Sequence, residues 1–154
     1  MKRATSALFV FLLILGMTSP ALLQAMGPAS GEQALADAAR LVAMRPQFEV
    51  YRAQGDSMEP FFREDALLLV AETRWDELEN GMIVLFEDAE GDMVAHQITK
   101  LRRNSAQTRG YNNRRADRDP LTAANLRGVV AGIFHTHGFD AAPDLPVALG
   151  KSDR

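Results

Sequence analysis

A mainly β domain over residues 47–135, preceded by one short helix, is the fold class this 154-residue chain predicts. Three features predict it. The apolar runs are short, turn signals lie close together between them, and one stretch ahead of them has helical periodicity.

The helix is expected first. Ser30-Gly31-Glu32-Gln33 has the form of a capping box, and Leu35, Ala38, Ala39 and Val42 follow at helical spacing up to Met44. Pro46 ends it, because the residue before a proline is pushed towards extended geometry. Phe48 and Val50 then alternate with Gln47, Glu49 and Tyr51, as in a strand. Ala66 to Ala71 form a dense apolar run, with Leu67, Leu68, Leu69 and Val70, and read as a buried strand. Trp75-Asp76-Glu77-Leu78 reads as a loop or a single helical turn. Asn80-Gly81 and Glu90-Gly91-Asp92 are turn signals on either side of Met82 to Phe86. Met93 to Leu101 reads as a strand with His96 near its middle, and Val129 to Phe134 as the last clear strand. Pro143, Pro146 and Gly150 punctuate residues 136–154, which are expected to be a mobile tail.

Composition narrows the function. Hydrophobic residues make up 47% and charged residues 24%, so the chain can build a core and is not disordered throughout. There is no cysteine, which excludes disulfides, thiolate nucleophiles and Cys-ligated metal. Residues 1–25 have the layout of a secretory signal peptide: Lys2 and Arg3, an apolar run from Ala7 to Met17, the break at Thr18-Ser19-Pro20, and small residues at Ala21 and Ala25. The run is shorter than the roughly 20 residues a spanning helix needs, although Leu22 and Leu23 could extend it into a signal anchor. Either form predicts export to a periplasmic or extracellular location, free or anchored by this segment. Residues 26–46 then hold the short helix and a linker.

The net charge of the chain is −3, and the leader carries two of its 17 basic residues and none of its 20 acids, so the remainder stands at −5. The charge is uneven. Lys100 to Arg118 holds seven basic residues against Asp117 alone. This segment reads as a solvated hairpin or as a surface that meets anionic membrane lipid or an acidic partner. Nucleic acid is excluded as a partner by the leader and by the lack of aromatic residues among the arginines.

Gly55-Asp56-Ser57-Met58-Glu59-Pro60 carries the chemistry. A serine after Gly-Asp, with a proline three positions on, sits in a tight turn that can expose its hydroxyl and gather backbone N–H groups. To act as a nucleophile it needs a base, commonly His or Lys. His96 is one candidate. Lys100, four residues further along the same strand and so on the same face, is the other. His135 and His137 alternate and could join His96 on a metal, but nothing in the spacing makes the three converge, and no metal or organic cofactor is implied.

The serine box resembles that of the family joining type I signal peptidases to the self-cleaving domain of LexA-like repressors. The likeness continues in order from Tyr51 to Phe134. Phe61 to Val70 resembles the stretch with an acid before a hydrophobic strand, and Gly81-Met82-Ile83-Val84-Leu85-Phe86 resembles the Gly-Asp-Ile-Val-x-Phe segment. Val94-Ala95-His96-Gln97-Ile98 falls where the base is carried, and Gly110-Tyr111-Asn112-Asn113 with Asp119-Pro120 resembles the Gly-Asp-Asn-Asn and Asp-Pro boxes. Val129-Val130-Ala131-Gly132 resembles the closing strand.

The resemblance implies a signal-peptidase/LexA-like β fold and a serine endopeptidase acting on peptides or proteins, with small residues flanking the cut. Ser57 falls at the nucleophile and His96 at the base, as in the archaeal and endoplasmic-reticulum branch. Asp119, or after it Asp117, would orient the imidazole. Gly55, Asp56 and Met58 would border the substrate and the oxyanion hole, with the Ser57 N–H as a donor. Three positions depart from the pattern. Gly55 replaces the donor serine of bacterial signal peptidases, and Met82 and Tyr111 replace aspartates. These departures motivate two alternatives: a catalytically silent peptide-binding domain, or a regulator that cleaves only itself.

Overall fold

The computed structural model describes residues 29–152, so the expected leader over 1–25 lies outside the described residues. Helix α1 (Gly31–Met44) begins at Ser30, whose hydroxyl accepts the Gln33 N–H at 3.2 Å, and ends one residue before Arg45-Pro46. Its buried face is Gly31, Ala34 and Ala38, with Leu35 beside it, while Ala39 of the expected stripe is exposed. The reason is close packing at the N-terminal end. A Cβ on Gly31 would lie 2.3 Å from the Phe139 ring, so the helix docks through its smallest side chains.

Among the described residues seven strands follow: β1 (Phe48–Gly55), β2 (Leu67–Ala71), β3 (Ile83–Glu87), β4 (Met93–Leu101), β5 (Ala106–Arg109), β6 (Leu126–Phe134) and β7 (Val147–Gly150). The order β3-β6-β2-β1-β7-β4, closed by pairing of β3 with β4, makes a six-stranded barrel, and β5 extends β4 beyond it. Tyr51, Ala53, Leu68, Val70, Leu85, Ala95 and Ala148 face one apolar cluster. Alternation sends Val84, Phe86, Val94 and Ile98 to the opposite face, under Leu78 and Leu121. His96 shares that second face by the same period. Trp75–Glu77 forms a single 3-10 turn.

The expectation of a mobile tail over 136–154 is corrected for its last part. Val147–Gly150 is a strand between β1 and β4, pairing in parallel with Arg52–Gly55 and bridging Val94 through Leu149. Ala148 is buried in the first cluster, so the four residues gain both strand pairing and apolar burial. Among the described residues no helix is long and apolar enough to cross a membrane.

Candidate active site

Ser57 follows the end of β1, in a turn held by hydrogen bonds from the Glu59 N–H to the Asp56 carbonyl and from the Phe61 N–H to the Met58 carbonyl. Gly55 permits the exit from the strand, with φ at +97°, in the left-handed region that favours glycine. Met58 is buried in the first cluster and roots the turn in the core. Asp56 is half-buried, and its carbonyl also accepts from Asn112 Nδ2 at 3.3 Å. The Asn112 N–H donates to the Ser57 carbonyl at 2.7 Å. Gly110 lies so close that a Cβ there would sit 2.8 Å from that of Ser57. The Gly110–Asn113 segment is thus the rear wall of the serine turn.

The Ser57 Oγ lies 2.9 Å from His96 Nε2, and both residues are buried. The other ring nitrogen, Nδ1, is 2.8 Å from Asp117 Oδ2. An ionised carboxylate can only accept, so in the neutral ring Nδ1 carries the proton and donates to Asp117. Nε2 is left with its lone pair facing the serine hydroxyl. This is the geometry of a hydroxyl–imidazole–carboxylate relay.

Of the two acids, Asp117 reaches the ring; Asp119 does not hold it, and is exposed on the rim of the same cleft. Strand β5 explains the difference. The Asp117 N–H donates to the Thr108 carbonyl at 2.9 Å, and Thr108 pairs with Ile98 of β4, two residues from His96. Lys100 is exposed, beyond a bulge between Ile98 and Lys100 that breaks the alternation. The same-face expectation for Lys100 therefore fails, and of the two candidates it is the imidazole that lies within hydrogen-bond distance of Ser57.

A cleft of about 160 Å³ opens beside His96, lined by Phe86, Asp88, Val94, Asp117, Asp119 and Lys151 among others. Asp88, Glu90 and Asp92 converge at its outer end. The Lys151 ammonium sits among them, 2.8 Å from Asp92 and paired with Asp88 and Glu90. Burial pushes the Asp88 carboxyl up, but the Lys151 ammonium and the amides of Asp92 and Glu90 outweigh it and hold it below the ordinary value. Lys151 was not a site candidate in the sequence. The apolar run Val147-Ala148-Leu149 after Pro146 was the signal that a strand precedes it.

A small β-barrel that brings a serine hydroxyl, an imidazole and a carboxylate into line at the end of a strand has the architecture and side chains of a serine hydrolase. The chain belongs to the Peptidase S24-like family, whose family model matches residues 23–128. Membership supports a serine peptidase or self-cleaving fold in general. No curated protein and no solved structure matches the chain.

Proposed function

We propose that the protein is an exported serine endopeptidase of signal-peptidase type that processes peptides or proteins. The 2.9 Å approach of the Ser57 hydroxyl to His96 Nε2 carries this reading. Ser57 Oγ bonds to the substrate carbonyl carbon while its proton passes to His96 Nε2. The Asp117 carboxylate keeps the ring in the required tautomer and stabilises the imidazolium. The proton then goes to the leaving amine as the peptide C–N bond breaks, leaving an ester on Ser57 that water hydrolyses. The Ser57 N–H faces the developing oxyanion.

Each of the three departures from the family pattern has a structural task, and none removes a member of the Ser57–His96–Asp117 array. Gly55 supplies the positive φ at the end of β1. Met82 Sδ accepts the Glu79 N–H, and Tyr111 packs edge-on against Phe61. Export rests on the basic, apolar and small-residue order of residues 1–25. The exposed Arg102, Arg103 and Arg118 on and after the β4–β5 hairpin favour contact with an anionic membrane surface.

The test is covalent labelling. A fluorophosphonate probe should add its mass to Ser57 in the wild type and leave Ser57→Ala unlabelled. If Ser57 stays unmodified both in wild type and in Lys151→Glu, and neither chain cuts a peptide from a combinatorial library, the enzymatic reading is overturned.

A further inference from the structure

The strand that completes the barrel ends against the Ser57 hydroxyl. β7 runs between β1, which leads to Ser57, and β4, which carries His96. Gly150 ends it against the nucleophile. A Cβ on Gly150 would be 2.8 Å from Ser57 Oγ and 3.3 Å from the Ser57 nitrogen, so this residue covers both the hydroxyl and the amide that faces the oxyanion. Ser57 has no solvent exposure.

Two further contacts fix the segment. The Lys151 carbonyl accepts from Asn113 Nδ2 at 2.7 Å, next to the rear wall of the serine turn. The Lys151 ammonium is clamped by Asp88, Glu90 and Asp92 on the β3–β4 side. Without β7, β1 and β4 would present facing unpaired backbone edges, a slot for one extended peptide. The segment also lies beyond residues 23–128, the part of the chain that matches the family.

We propose that Val147–Lys151 is a built-in occupant of the substrate groove, which the chain's own C-terminal segment fills and shuts until Lys151 is released from its carboxylate clamp. The proposal rests on reading the slot between β1 and β4 as that groove. A substrate enters by strand exchange: it takes the backbone pairing of β7 and presents a small residue to Ser57, as Gly150 does. Access is set by how often the clamp opens, because only the open population can bind.

The test uses three full-length chains: wild type, Lys151→Glu and Gly150→Val. The first substitution sets a carboxylate against three carboxylates, and the second drives side-chain atoms into Ser57 Oγ. Neither removes a barrel strand. A fluorescent peptide of residues 146–152 is titrated and followed by anisotropy, with a scrambled peptide as control. We expect the peptide to bind both variants and to leave wild type unbound. In parallel, Ser57 labelling by the fluorophosphonate should accelerate by on the order of tenfold in both variants.

Peptide binding to the variants without labelling retains the occupant and removes the peptidase reading. Equal labelling of all three chains, with the peptide binding none of them or binding wild type equally well, overturns the occupant and leaves the peptidase reading standing. Should one variant fail to fold, the other gives the same decision.

Discussion

Replacing Asp117 by asparagine removes one charge and little volume, which makes it the sharpest probe of the relay. In the proposed reaction His96 takes the Ser57 proton during attack, so the carboxylate 2.8 Å away would act mainly on the transition state. Two unit charges about 4 Å apart attract by about 4 kcal/mol at an effective dielectric of about 20. The Asp117 side chain is 20% exposed, and water weakens the attraction. A loss of about 3 kcal/mol, or about 10²-fold in rate, is the working expectation, since each 1.4 kcal/mol is tenfold. An amide also offers Nδ1 either a donor or a weaker acceptor, which disturbs the tautomer that leaves Nε2 free.

The assay is the second-order rate of fluorophosphonate labelling at Ser57, compared between wild type, Asp117→Asn and Asp119→Asn. Opening of the C-terminal segment enters all three rates, so their ratios report the relay. Asp119→Asn should stay within about twofold of wild type, because that exposed carboxylate lies on the cleft rim. A rate for Asp117→Asn equal to wild type, or a larger loss for Asp119→Asn, refutes the reasoning.

Two further outcomes follow from packing and titration. Gly110→Ala should destabilise the fold by about 1–3 kcal/mol and slow labelling, since the new methyl lies 2.8 Å from Ser57 Cβ and 2.9 Å from its carbonyl oxygen; denaturant unfolding reads the first effect. Burial, then the hydrogen bond to Glu49 and its charge, pushes the Tyr51 hydroxyl up to about 12. Its folded value exceeds its unfolded value of about 10, so its contribution is complete below about 10 and is lost as pH rises towards 12. Thermal unfolding of Tyr51→Phe should therefore fall less steeply across that window than wild type, and parallel curves would contradict the assignment.

The parts of the molecule written as local pattern were legible in the sequence. Helix α1, the dense run of β2 and the apolar strands β3 and β4 stand close to where periodicity sets them. Local context alone makes Ser57 a turn serine and His96 a strand histidine; their pairing was nameable through the ordered resemblance of the motifs from Tyr51 to Phe134. Strand β5 was not legible: Ala-Gln-Thr-Arg is short and mostly polar, and pairs because β4 offers it an edge. The choice of Asp117 over Asp119 then depends on the Thr108 carbonyl, a non-local partner. Strand β7 was hidden for the same reason. Its one local sign, the apolar run Val147-Ala148-Leu149, is short and set between Pro146 and a polar end, and its pairing partner lies nearly a hundred residues earlier. The helix stripe was legible in part: Ala38 is buried and Leu35 packs beside it, whereas Ala39 is exposed and Gly31 and Ala34 complete the buried face.

The identity of the base is the point on which the chemical account turns, and one comparison of labelling rates decides it. His96→Ala should lose at least about 10³-fold in probe addition at Ser57, while Lys100→Ala keeps most of the wild-type rate. Undiminished labelling of His96→Ala, with labelling abolished in Lys100→Ala, would contradict the account.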